Sequence, residues 1–130
     1  MRAGRELRRM VMNRIIAEIP EFGGRVYDRA SQGDPYPYCT LGPSSWTDDS
    51  VDCIKGRVQS LQIDVWAEAT KGACEDLTDD VAAALDDWGD DDALTMHPLS
   101  VVLVRVLDDP NPEVAHGIVQ VEAMVESDVA

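Results

Sequence analysis

The stretch VQSLQIDVWAEATKGACEDLTDDVAAALDDWG, residues 58–89, changes the spacing of its apolar residues midway. Residues 58–67 alternate, with Leu61, Ile63 and Val65 on one side and Ser60, Gln62 and Asp64 on the other. Alternation is typical of a β-strand with one buried face, because successive side chains point to opposite faces of a sheet. We therefore predict a strand over 58–67.

Residues 72–88 have the spacing of a helix. At roughly 100° per residue, the apolar side chains fall within one arc and the acidic ones fall opposite. The apolar arc holds Cys74, Leu77, Val81, Ala84, Leu85 and Trp88, and the acidic side holds Glu75, Asp79, Asp80, Asp86 and Asp87. We expect the apolar face to pack on a sheet, the acidic face to lie in solvent and Gly89 to cap the helix.

A further helix is predicted over residues 5–19. Its apolar face consists of Leu7, Val11, Ile15 and Ile19, widened by Met12 and Ile16. Pro20 ends it, because proline cannot continue the backbone hydrogen bonds of a helix. A face of this width can pack on the chain's own sheet and on a second subunit.

Shorter elements are predicted between the first helix and residue 58. RVYDRA, residues 25–30, and YCTL, residues 38–41, are short strand candidates joined by a loop rich in Gly, Asp and Pro. Gly42 and Pro43 are expected to close the second of these strands. The polar residues 44–56 are expected to form a loop or a long hairpin connection.

Two long strands complete the chain, over residues 99–107 and 115–127. The connection DDPNPEV has the composition of a hairpin turn, so the two strands should be antiparallel neighbours. The elements together predict an α+β fold, in which two main helices pack on a mostly antiparallel sheet of four to five strands. The length of 130 residues predicts a single domain spanning 1–130.

The charge is large and unevenly placed. Twenty-five acidic and 11 basic residues give a net charge of -14, which argues against non-specific nucleic-acid binding, because such binding needs clustered Lys and Arg. Residues 1–29 hold seven arginines against four acidic residues, a balance of +3, so the remainder carries -17. A basic end and an acidic body favour head-to-tail contact between copies or contact with an acidic partner. A soluble surface of mixed charge fits the composition equally well.

The three cysteines form no CxxC pair and no complete disulfide framework, so we expect reduced thiols in a cytosol-like compartment. No apolar run approaches the ~20 residues that a membrane span needs. We therefore expect a soluble protein, made in the cytoplasm, with no membrane partner.

No set of residues indicates catalysis or a metal site. GPSSW, residues 42–46, lacks the second glycine of a serine-nucleophile turn. His97 and His116 are better explained as strand-entry residues than as a base or metal ligands. The acidic run 86–92 lacks the ligand spacing of an EF-hand and is expected to be a solvated helix end. We expect no enzyme activity, no cofactor and no metal.

Exposed arginines and tryptophans are the candidates for contacts with partners. Arg2, Arg5 and Arg9 lie near one side of the first helix and suit an acidic surface on another subunit at least as well as phosphate. Trp66 points away from the buried face of its strand. Either a partner or the loop that contains Trp46 should cover it.

Four segments, in a fixed order across residues 25–126, carry a family resemblance: RVYD, PYCTLG, LQIDVWAEATKG and HGIVQVEAMVE. In order and spacing they resemble the small tail completion or tail terminator proteins of long-tailed phages and phage-like gene transfer particles. The resemblance implies a non-enzymatic subunit of a hexameric ring that caps the tail tube, ends its polymerisation and joins the tail to the head-side connector.

The resemblance also implies partners and a location. The partners would be further copies of the chain, the tail tube protein and a head-side connector or head-closure protein, with DNA passing through the lumen without sequence-specific binding. The location would be the head-proximal end of the tail in the virion, after assembly in the host cytoplasm. We take as interface candidates Arg5, Arg9, Tyr36, Tyr38, Trp46, Trp66, Asp79 and Asp86.

Three rival hypotheses remain. A head-closure or neck subunit would share the ring symmetry but face the portal, and binding to tube protein or connector separates the two. An acidic regulatory or DNA-mimic domain would explain the charge of -14 and would inhibit a DNA-binding partner. A small enzyme is the weakest rival, because no nucleophile, base and cofactor motif converge.

Overall fold

The computed structural model describes residues 2–30, 33–68, 70–89 and 95–128. The chain folds as the α+β arrangement that the sequence predicts. The helices are α1 (Ala3–Glu18) and α2 (Lys71–Leu85), with a 3₁₀ turn at Pro20–Phe22. The strands are β1 (Val26–Tyr27), β2 (Tyr38–Asp48), β3 (Ile54–Glu68), β4 (Thr95–Met96), β5 (Ser100–Asp108) and β6 (Val114–Asp128).

The six strands of the described residues form one sheet in the order β1-β2-β3-β6, and β4 and β5 both pair with the far side of β6. Every pairing is antiparallel except that between β1 and β2. The predicted hairpin between the last two long strands is confirmed, since β5 pairs with β6 from Asp108 opposite Ala115 onward.

Both helices cover the same face of the sheet. The α1 helix contacts β1, β2 and β3, whereas α2 contacts β3, β5 and β6, so the helices lie over opposite halves. The alternating side chains Leu61, Ile63 and Val65 of β3 are at most 1% exposed, as the sequence predicts. They form one apolar core with the inner faces of both helices.

The expectation that Gly42 and Pro43 end the second strand is wrong. The β2 strand continues to Asp48. Gly42 and Pro43 lie in a β-bulge between Leu41 and Ser44, where the register of the pairing with β3 shifts. The proline fits because β2 is an outer strand at this point, where a missing N–H removes no bond to a neighbour. Of the two alternatives expected for residues 44–56, the hairpin is the one observed: β2 and β3 are antiparallel neighbours, and the connection is shorter than expected because β2 reaches Asp48 and β3 begins at Ile54.

The expectation of a helix to residue 88 with Gly89 as its cap is also wrong. Thr70 caps the start of α2, since its hydroxyl accepts the Ala73 N–H at 3.1 Å, and the helix ends at Leu85. Asp87 takes a left-handed conformation with φ 58°, and its N–H donates to the Leu99 carbonyl at 2.8 Å. This bond to the segment before β5 replaces the next helical bond. Of the predicted acidic run, residues 90–92 lie outside the described residues.

The three cysteines are free, as expected. Cys39 and Cys74 are buried, and burial raises the pKa of both thiols. They therefore remain protonated and unreactive at neutral pH. Cys53 lies exposed in the turn between β2 and β3.

Candidate assembly surfaces

The α1 helix carries what we call the basic flank, Arg5, Arg8 and Arg9. Arg8 donates to the carbonyls of Leu41 at 3.3 Å and Gly42 at 2.6 Å, so this side of α1 lies beside the outer edge of β2. Arg5 and Arg9 are exposed and follow Arg8 around the helix within roughly 100°. Arg9 pairs with Glu6 on its own helix at 2.9 Å. Arg5 has no ion pair within the part of the chain that the structure describes.

The α2 helix carries the acidic flank, which we define as Glu75, Asp79 and Asp86. All three are exposed. Lys71, on the same side of α2, bonds Asp108 of β5 at 2.9 Å, so this flank lies beside the outer edge of β5. The predicted interface residue Asp86 has a structural role as well, because its carboxylate accepts the Val101 N–H at 3.0 Å. It thereby holds the start of β5 against the end of α2.

Within one chain, α1 and α2 contact each other through an arginine, as the two flanks would between copies. Arg14 of α1 donates to the Ala84 carbonyl of α2 at 3.0 Å, and its guanidinium lies 5.2 Å from the centre of the Trp88 ring. An arginine of α1 therefore binds α2 in this fold. The basic flank lies on the side of α1 that faces away from this contact.

An aromatic row runs across one end of the sheet: Tyr38, Trp66 and His116 lie on the face that the helices leave uncovered, and Tyr36, just before β2, adjoins Tyr38. Ring centres are 5.2 Å apart between the tyrosines, 6.4 Å between Tyr38 and Trp66, and 3.8 Å between Trp66 and His116. Burial raises the pKa of the Tyr38 phenol, and Tyr36 adds to the rise. The phenol is therefore a neutral donor at physiological pH.

Polar bonds fix the inner end of this row. Trp66 Nε1 donates to Thr40 Oγ1 at 3.1 Å, and His116 Nε2 lies 2.7 Å from Asp64 Oδ1. The expectation that the loop with Trp46 covers Trp66 is wrong, because its ring neighbours are Tyr38 and His116 of its own sheet. Half-buried, hydrogen-bonded aromatic rings of this kind provide rigid packing area.

Trp46 lies on the hairpin of β2 and β3, in a stretch where every residue from 44 to 55 is exposed. Its side chain is 52% exposed, and the Arg57 guanidinium lies 3.9 Å from the ring centre. In the ladder Trp46 is opposite Gln59, which packs beside Gly4 of α1, so Trp46 is on the helix side of the sheet. This exposed tryptophan is a candidate contact for a partner.

The strand β5 is an apolar surface that the sequence predictions missed. Val102, Leu103 and Val104 are 49%, 41% and 38% exposed. The run VVLV indicated this surface, because a continuous apolar run is typical of a strand covered on both faces. Within the described residues only α2 packs on β5, and it covers one face. Arg8 was missed as well, since its role depends on β2 continuing past Leu41.

No helix among the described residues is long and apolar enough to cross a bilayer. The family model described as tail completion protein gp17 matches residues 16–126. The tail completion protein gp17 of Bacillus phage SPP1 is 25% identical over 117 residues, which cover 82% of this chain and 81% of that protein.

Two solved structures share the fold. A chain in the virion of a native gene transfer agent particle superposes with a TM-score of 0.81 at 21% identity, covering 98% of this chain and all of that one. The structure of bacteriophage SPP1 gp17 superposes with a TM-score of 0.59 at 21% identity, covering 98% and 94%. The match over residues 16–126 establishes that the chain belongs to the gp17 family of tail completion proteins, structural components of the virion tail and not enzymes.

Proposed function

We propose that this chain is a subunit of a hexameric ring that caps the tail tube, ends its polymerisation and joins the tail to the head-side connector. The observation that carries the proposal is the separation of charge: the basic flank lies at the β2 end of the sheet and the acidic flank at the β5 end. A closed ring needs a heterologous contact, in which one patch meets a different patch on the next copy.

Charge of opposite sign at the two ends supports one direction of assembly. The acidic flank of one copy attracts the basic flank of the next, whereas contacts between two like flanks repel. The acidic excess of the whole chain serves a second purpose in a ring, because negative charge in a lumen keeps passing DNA from adhering.

The mass of the protein in solution tests the proposal, alone and with the tail tube protein of the same gene cluster. We expect a ring, either alone or on the end of the tube, since such an interface can depend on its template. Electron microscopy of capped tubes would then show tubes that no longer lengthen. Binding to the connector alone would favour the head-closure alternative, and a monomer that ignores both partners would contradict the proposal.

Ring assembly should also depend strongly on salt. Raising NaCl from about 0.1 M to about 1 M shortens the Debye length from about 10 Å to about 3 Å, which screens exposed flank charges. We expect about tenfold weaker assembly, measured as the protein concentration at half-maximal ring mass. Thermal unfolding of the monomer at both salt concentrations is the control. Equal assembly at the two would contradict an electrostatic interface.

A further inference from the structure

The outer edge of β5 has no partner strand within the described residues, since β5 pairs only with β6. A bulge at Val102 interrupts its start, and the pairing is regular from Leu103 to Asp108. Natural proteins protect such edges with charges, prolines or covering segments, because an open edge recruits other strands. Here three consecutive exposed apolar residues, 102–104, mark the edge, with a single arginine, Arg105, beside them.

The opposite edge of the sheet is closed over part of its length. On β2, the strand β1 pairs with Cys39 and Thr40. Beyond these residues, Arg8 occupies the carbonyls of Leu41 and Gly42, and Pro43 has no N–H to offer. What remains open on this edge is the segment from 44 to 48.

The two open segments are similar in length and opposite in direction. The regular stretch 103–108 contains six residues and the segment 44–48 contains five, and each follows a bulge. The strands β2, β3, β6 and β5 alternate in direction, so β5 runs opposite to β2. If the sheet continues into a second copy in the same sense, β5 and the next β2 are antiparallel.

We propose that the outer edge of β5 in one copy pairs with residues 44–48 of β2 in the next copy, so that the sheet continues across the subunit boundary. This inference rests on the proposed ring and names the surfaces that close it. The partner is a second copy of this chain.

Side chains on both faces of the junction fit this pairing. On the helix side, Val104 is opposite buried Val119 in the ladder, and Trp46 is on the same side of its strand. An aromatic residue beside a β-branched one is a favourable cross-strand pair. On the other face, Leu103 and Arg105 would lie beside Ser45 and Thr47. These side chains are small and uncharged, so they neither clash with the leucine nor repel the arginine.

The helix layer follows the sheet. Because α2 lies over the β5 half and α1 over the β2 half, a continued sheet sets the acidic flank of one copy beside the basic flank of the next. If the β5 edges of two copies paired with each other around a two-fold axis, the two acidic flanks would lie together. Charge therefore favours the heterologous pairing over a two-fold dimer.

Cross-linking tests the junction directly. Leu103→Cys and Thr47→Cys are combined in a Cys53→Ser background, and the full chain is treated with a short bismaleimide, with and without tail tube protein. Cys39 and Cys74 are buried and protonated, so they stay unmodified. We expect a ladder of covalent multimers up to the ring, and no products from either single-cysteine variant. Dimers from Leu103→Cys alone would indicate paired β5 edges and overturn the proposal.

A charge placed on the edge provides the second test. Leu103→Lys should weaken assembly about tenfold, because a lysine on an open edge opposes strand pairing. Met124→Lys is the matched control: Met124 is 44% exposed on the inner strand β6, and less than a twofold effect is expected. Thermal unfolding shows that both variants fold.

The outcomes separate this inference from the proposed function. Rings that form without the cross-linked ladder, and that tolerate Leu103→Lys, would overturn the edge pairing and leave the tail-capping role intact. A wild-type chain that neither assembles nor binds the tube, and gives no ladder, would overturn both.

Discussion

Replacing Arg5 and Arg9 together by glutamate should weaken ring assembly on the order of 100-fold. Both side chains are exposed on the basic flank, so the change turns attraction to the next copy's acidic flank into repulsion. Like charges at an interface cost several kcal/mol, and each ~1.4 kcal/mol is tenfold in affinity. The concentration dependence of the mass, by light scattering with tail tube protein, measures the effect.

A charge swap is the control for this variant. Glu75→Lys with Asp79→Lys, combined with the two arginine changes, restores opposite signs across the junction and should recover most of the assembly. Within α1, Arg9→Glu sets two acids side by side because Arg9 pairs with Glu6, which costs roughly 0.2–0.5 kcal/mol of stability. An oligomer mass that the double reversal leaves unchanged would contradict the flank contact.

Gly117→Ala should destabilise the monomer by about 1–3 kcal/mol. Gly117 of β6 lies directly beneath Thr78 of α2, and an added Cβ would overlap Thr78 Oγ1 and come within 3.1 Å of Thr78 Cβ and Cγ2. Thr78 is fully buried and donates to the Cys74 carbonyl at 2.6 Å, so it cannot rotate away without losing that bond. Overpacking of this kind forces the helix off the sheet. Urea unfolding of the monomer measures the loss.

The second variant Thr78→Ala shows whether this contact is the cause. In the double variant the hydroxyl and the methyl group are gone, so most of the stability lost in Gly117→Ala should return. The two changes are in contact, and their effects should therefore be non-additive by at least ~0.5 kcal/mol. Additive losses would mean that Gly117 is required for another reason.

The two edges of the sheet differ in how much backbone they leave open: on β2 only residues 44–48 are open, whereas the outer side of β5 has no partner strand within the described residues. Arg8 and Pro43 close β2 from Leu41 to Pro43, and β1 pairs with Cys39 and Thr40. One apolar edge with a short complementary segment elsewhere favours growth in one direction. The acidic flank beside β5 limits pairing between two such edges.

The helices and the long strands could be predicted from local spacing, because a buried helix face repeats near every 3.6 residues and a buried strand face every two. Residues 58–67 and 115–127 show that period, and both are strands. The interface candidates stay predictions. Arg5, Arg9 and Asp79 are exposed, Asp86 also holds the start of β5, and Trp66 is half-buried between Tyr38 and His116 of its own sheet.

The sequence by itself determined the α+β class, the order of elements, the separation of charge and the family resemblance. These depend on residues close together along the chain or on their order. The tertiary structure alone decided that β2 continues through Gly42 and Pro43, that α2 ends at Leu85 and that the β5 edge lies open. Each depends on a partner that is distant in sequence, such as the Arg8 guanidinium or the Leu99 carbonyl. The spacing of neighbouring residues does not indicate such a partner.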